Sequence, residues 1–195
     1  LPVRRMGVTM RASTNTMAAV AQLLSEQRDT IHSEWSEWIA KRLESAPHIR
    51  RDTIDRQLRL LVELLTVMTG PRRREANGLW LSASEWYGRT AALRGLAAGE
   101  IVEEFQYLRE RLIRHLSELV TLLVPRQSMA AVLRLNRLVD TGTAHAVVGY
   151  TDALVESLLE RQGIPLGAHE TEESEVEERL AQLEGEFAQL MSTSD

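Results

Sequence analysis

Five histidines and twenty-eight acids carry most of the chemistry this chain could perform, and their spacing decides how far that reading goes. His115 falls on an apolar stripe with Ile101, Phe105, Leu108, Leu112 and Leu119, where an imidazole could reach a haem iron inside a helical bundle. The competing reading is a core or interface histidine hydrogen-bonded to a neighbour. His145 stands in Thr143-Ala144-His145-Ala146, without the acid directly after it and the downstream proline of a phosphoacceptor helix. His32 lies four residues after Arg28 and three before Trp35, and His48 and His169 fall in predicted loops. None pairs with a second histidine or a carboxylate in a recognisable metal-ligand spacing. Glu103 and Glu104 share a helix with Arg109, Arg111 and Arg114, which predicts ion pairs along a solvated face or a dimer contact before acid–base catalysis. Ser82, Ser84 and Ser117 lack a Gly-x-Ser-x-Gly elbow, and no glycine-rich phosphate loop occurs. With no cysteine, thiolate metal sites, disulfides and cysteine nucleophiles are excluded. The expectation is a protein that is not an enzyme and holds no cofactor or metal.

The elements that would position these residues are all helical. Apolar residues recur at steps of three and four, and no alternating run argues for a strand. A first helix is predicted from a cap at Thr14 or Asn15, carrying Met17, Val20, Leu24, Ile31, Trp35 and Trp38, and stopping before Pro47. A second runs from Arg50 to Met68 and ends at Thr69-Gly70-Pro71, leaving Arg72, Arg73 and Arg74 in a loop. A short third helix is expected from Ser82 or Ser84 to Arg94, broken by Gly95 or Gly99. The fourth spans Glu100 to Leu123, closed by Pro125; the fifth spans Ser128 to Arg161, with Leu133, Leu138, Ala144, Val148, Leu154 and Leu158 as its core positions. Trp86, Phe105, Leu108, Leu112 and Tyr150 are expected to hold the core. Trp35, Trp38, Trp80 and Trp86 could line a ligand pocket or a dimer interface, with ordinary core packing the favoured reading. Asn136 and Asp140, four apart on the fifth helix, are short polar residues that cost helix propensity, so either a partner or a solvated surface is expected for them.

Composition bounds the classes. The 195 residues, 44% hydrophobic and 26% charged, suit one folded domain with an appended segment. The net charge of −5 is uneven: residues 163–195 hold nine acids against Arg179 alone, −8, which leaves +3 for the rest. An acidic tail with no dense basic block elsewhere argues against nucleic acid. No window reaches the roughly 20 apolar residues of a membrane span. Arg4, Arg5 and Arg11 are followed by Ser13, Thr14 and Asn15 instead of the apolar stretch of a secretory signal, so a cytoplasmic location is expected, with Met6 or Met10 as possible starts.

Past the breaker Gly163-Ile164-Pro165-Leu166-Gly167, the residues Val176, Leu180, Leu183 and Phe187 step by four, three and four, a heptad seam flanked by charge. Two heptads are marginal alone, so the segment is expected to zip only where a dimer already holds two copies together. The division read from this pattern is a flexible N-terminus at 1–13, a helical domain at 14–162, a linker at 163–171 and an acidic coiled-coil helix at 172–195.

The segment from Gly95, GLAAGEIVEEFQYLRERLIRHL, and the segment from Arg134, RLNRLVDTGTAHAVVGYTDAL, resemble the paired core helices of the RsbRD N-terminal family, through Trp86, Glu104, Arg109, Asn136, Asp140, Ala146 and Tyr150. That family supplies the globin-like sensor domain of stressosome RsbR-type proteins and of some bacterial sensor histidine kinases. The resemblance implies a globin-like fold without haem, and a signal-input role. It further implies a homodimer whose facing core helices include Asn136 and Asp140, and a downstream kinase or stressosome-type partner. The residues given contain no anti-sigma-antagonist domain, phosphoacceptor helix or ATP-binding region, so the chain reads as a stand-alone sensor or as the front of a longer protein such as a histidine kinase. Alternatives from other classes are a haem- or tetrapyrrole-binding globin-type sensor using His115, and a scaffold that binds a partner through its acidic tail.

Overall fold

Six helices follow one another among the described residues: α1 (Arg4–Ala40), α2 (Arg51–Thr69), α3 (Arg73–Leu93), α4 (Ala98–Leu122), α5 (Pro125–Arg161) and α6 (Glu172–Ser192). They come from a computed structural model that describes residues 4–42, 49–162 and 172–193, with side chains except at 4–15, 160 and 172–173. No strand occurs among them, so the chain is all-α as its periodicity predicts. Among the described residues no helix is long and apolar enough to cross a membrane. The expected linker at 163–171, Pro47, His48 and His169 lie outside the described residues.

Three boundaries differ from expectation. α1 reaches back to Arg4, through the segment read as a flexible N-terminus. Ser13, Thr14 and Asn15 favour caps but do not forbid a helix interior, and no proline stands between Arg4 and Asn15 to stop it. α3 begins at Arg73 and not near Ser82, because Ala76, Leu79, Trp80 and Ala83 are all buried along one face. Burying Leu79 and Trp80 at about 1.5–3 kcal/mol per large side chain outweighs the roughly 1 kcal/mol that Gly78 costs in a helix. α5 starts at Pro125, whose missing N–H is harmless in a first turn, so the residue that closes α4 also opens the next helix.

The larger correction concerns which face of α5 is inside. Leu133, Val148, Leu154 and Leu158, expected in the core, are 49, 48, 43 and 57% exposed; Ala144 is exposed and Leu138 half-buried. The buried line is Ala131, Leu135, Val139, Gly142, Ala146 and Gly149. The small members of this line, Gly142, Ala146 and Gly149, let α3 lie against α5 almost backbone to backbone: a Cβ on Gly149 would stand 1.9 Å from the Glu85 carbonyl oxygen. Close approach selects small side chains, whereas an apolar pattern alone favours the large ones.

Around this pair, α1 packs on α2 and α4, α2 on α3, and α4 on α5, while α6 lies across α3 and α2. The centre is aromatic. Trp35, Tyr87 and Phe105 are fully buried, with the Tyr87 ring 5.5 Å from Phe105 edge-on and 5.9 Å from Trp35. Leu108, Leu112 and Trp86 join this core, and Tyr150 and Trp38 are half-buried at its margin, Trp38 stacked on Tyr107 at 4.6 Å.

Candidate functional site

Gly95, at φ +78°, closes α3 with paired bonds, its own N–H to the Ala92 carbonyl and the Leu96 N–H to the Ala91 carbonyl, a Schellman turn. The Ala97 N–H is then taken by the Glu100 carboxylate at 2.8 Å, which starts α4; alanine has no acceptor to return the bond, so only half of a capping box is present. This tight corner sets Arg94 beside Glu104. The guanidinium binds both carboxylate oxygens, at 3.0 and 3.2 Å, with side-chain exposures of only 1 and 2%, and the Tyr87 hydroxyl donates to the same carboxylate. Arg94 also lies 5.1 Å from the Tyr87 ring centre. Burial works against the Arg94 cation, but Tyr87 and Glu104 outweigh it and hold its pKa above the ordinary value. Burial, with the Glu104 charge, pushes the Tyr87 hydroxyl well above its usual range. Glu104 therefore belongs to a buried network and not to the solvated helix face expected for it. Glu103 pairs with Arg42 at 2.8 Å instead of along its own helix.

The main cavity, of about 1070 Å³, opens between the N-terminal ends of α3 and α5, with Met17, Met68 and the fully buried Trp80 among its lining residues. Among the described residues five arginines line it, Arg73 and Arg74 from α3 and Arg126, Arg134 and Arg137 from α5, and no carboxylate does. Burial first, and the charge of Arg73 second, hold the Arg134 guanidinium below its ordinary pKa. A second cavity, of about 520 Å³, lies between α4 and α5 where Arg109 pairs with Asp140.

α6 does not present its seam to solvent. Val176, Leu180 and Leu183 are at most 2% exposed and Phe187 is half-buried, all packed into the core of their own chain, so the heptad seam faces the bundle. Charge holds the helix there. Arg56 grips Glu184 with two bonds, at 2.6 and 3.1 Å, and Glu177 with a third at 2.8 Å. Glu177 also accepts from Arg50 at 3.0 Å and from the Thr53 hydroxyl. The hydrogen bond from Thr53, with those from Arg50 and Arg56, holds the Glu177 carboxyl below its usual value. At the far end, Arg72 donates to the Leu190 carbonyl at 2.8 Å.

The remaining expectations sort by geometry. His115 is half-buried with Nε2 3.1 Å from the Glu34 carboxylate, and it lines neither cavity. His32 sits 3.2 Å from Asp55, and His145 is 3.8 Å from Glu85. Asn136 and Asp140 do not act together: Asp140 serves Arg109 on α4, while the buried Oδ1 of Asn136 has no protein donor. Of the tryptophans, Trp80 alone lines the main cavity; Trp35 and Trp86 are core, and Trp38 packs under Arg42. Among the described residues no group of three or more His, Asp or Glu could hold a metal ion. The sequence reading missed Arg94, Tyr87 and Arg56 as partners and placed three consecutive arginines in a loop. The run Arg72-Arg73-Arg74 was the available signal, but only the fold brings it to Arg126, Arg134 and Arg137. In comparisons with known proteins, no family model, curated protein or solved structure matches this chain.

Proposed function

We propose that this chain is a non-enzymatic signal-input domain, a globin-like sensor of the stressosome or histidine-kinase type. In this reading it works as a cytoplasmic homodimer and relays a change through its C-terminal helix to a kinase or stressosome-type partner. The observation that carries the reading is the way α6 is held. Its seam is buried, but its attachment is a row of partly exposed ion pairs, and one of its anchors, Arg72, directly precedes two arginines that line the main cavity. The relay requires a docked and a released arrangement of this helix, and anything that favours one shifts the population. Once released, Val176, Leu180, Leu183 and Phe187 are free to form a coiled coil with the second copy, as their heptad steps allow. The dimer contact falls to the outer face of α5, where Met129, Leu133, Val148, Val155 and Leu158 are between 48 and 61% exposed. An apolar row of this kind on a single helix suits a two-fold, self-complementary interface.

Light scattering on the eluting protein, with a full absorbance spectrum, tests the reading. The expected result is a colourless dimer of the 22.0 kDa chain, converted to monomer by Val148→Glu with Val155→Glu. A monomeric wild type would overturn the dimer mechanism, and a Soret band would replace it with the tetrapyrrole reading through His115.

A further inference from the structure

We propose that the cavity between the N-terminal ends of α3 and α5 binds a small organic phosphate, a dianionic head joined to an apolar body. The charge inventory leads there. Several arginines elsewhere are matched to acids, Arg42 to Glu103, Arg89 to Glu156 and Arg94 to Glu104, and others to neutral groups, Arg72 to the Leu190 carbonyl and Arg111 to the Tyr107 ring. The five in the cavity have no carboxylate partner among the described residues, and residues 1–25, whose Thr16 and Met17 form one edge, contain no acid at all. Gathering like charges in a concave, partly apolar site destabilises the empty protein, and a bound anion relieves that repulsion. Guanidinium groups offer paired donors that match phosphate oxygens, and several forks favour a doubly charged head over a single carboxylate.

Two further features agree. First-turn residues of both helices, Arg73 and Arg74 of α3 and Arg126 and Gln127 of α5, are among the lining residues, so the positive ends of two helix dipoles lie near the cavity. The lining also carries Met17, Met68, Trp80, Leu133 and Leu138, which inorganic phosphate would leave unused and an alkyl or aryl body would cover. A volume of about 1070 Å³ exceeds what phosphate needs and suits a whole metabolite-sized ligand. The inference deepens the sensor reading and rests on it for what binding would do, since Arg72 ties the same corner to α6.

Calorimetric titration of the full chain with octyl phosphate, phenyl phosphate, inorganic phosphate and neutral octyl glucoside tests it. The expected result is saturable binding of octyl or phenyl phosphate, one per chain, at least about tenfold tighter than inorganic phosphate or octyl glucoside. Which body binds better tells an aliphatic source from an aromatic one. Arg134→Gln and Arg73→Gln should each weaken it by about tenfold or more, whereas Arg59→Gln, outside the cavity, should not. Removing unpaired like charges should leave the melting temperature unchanged or higher; if Arg134→Gln does not fold, the exposed pair Arg126→Gln with Arg137→Gln carries the same test. Failure of both organic phosphates to bind, or equal binding by wild type and the arginine variants, would overturn the site. Amide exchange across 172–193, followed in the same titration, separates the two ideas: binding without any change in α6 supports the anion site and removes the relay.

Discussion

Gly88 on α3 faces Ala146 on α5 so closely that a Cβ built on the glycine would stand 1.7 Å from the Ala146 carbonyl oxygen and 2.9 Å from the Tyr150 amide nitrogen. Both obstacles are backbone, so neither can swing aside. Gly88→Ala must therefore push α3 away from α5, loosening the helix pair on which the cavity and the aromatic core depend. The expected loss is about 1–3 kcal/mol or more, read by urea unfolding. Gly78→Ala, exposed on the same helix with nothing within 4 Å, should instead stabilise by about 0.5–1 kcal/mol. Equal effects at the two positions would disprove the close-packed interface.

Arg94 and Glu104 make a second test because both are removed from water. Replacing one strands the other's charge in the core, so Glu104→Leu or Arg94→Met should each cost about 3–5 kcal/mol. The double replacement should cost far less than the sum, since it leaves no buried ion. Additive losses in a double-mutant cycle would mean that the pair is not coupled as its geometry requires.

Glu177 predicts how α6 responds to acid. Its carboxyl is held below the ordinary 4.5 by the Thr53 hydroxyl and by Arg50 and Arg56, so the folded state favours the ionised form. Docking is therefore at full strength above about pH 4.5 and is lost as pH falls through the depressed folded-state value. Amide protection over 172–193, taken relative to the intrinsic exchange rate at each pH, should fall on that acid limb ahead of the centre of α4. Glu177→Gln should dock more weakly at neutral pH and respond less to acid. An α6 that exchanges in step with α4 at every pH would contradict separate release.

Much of the architecture is legible in the sequence. The positions Ile101, Phe105, Leu108 and Leu112 recur at helical spacing along α4 and are all buried, as periodicity requires. Gly95 marked the break after α3 because a left-handed residue closes a Schellman turn with little strain only when it is glycine. The site was far less legible. Glu104 looked like one more acid on an arginine-rich helix, and its burial depends on Arg94 arriving from the preceding turn. The small-residue line of α5 was hidden for a related reason: Gly142, Ala146 and Gly149 matter for what they omit, which has meaning only when another helix lies on top of them.

By itself, then, the order of residues determined the helical class, the turns set by glycine and proline, the heptad steps of α6 and the absence of cysteine chemistry, all of which are local or compositional. The tertiary structure decided which face of α5 is buried, which carboxylates Arg42, Arg56 and Arg94 meet, and that five arginines from two helices share one cavity with no acid among its described lining residues. Those outcomes depend on Coulomb interactions and close packing between residues up to 128 positions apart, such as Arg56 and Glu184, and distances in space of that kind have no signature in local spacing.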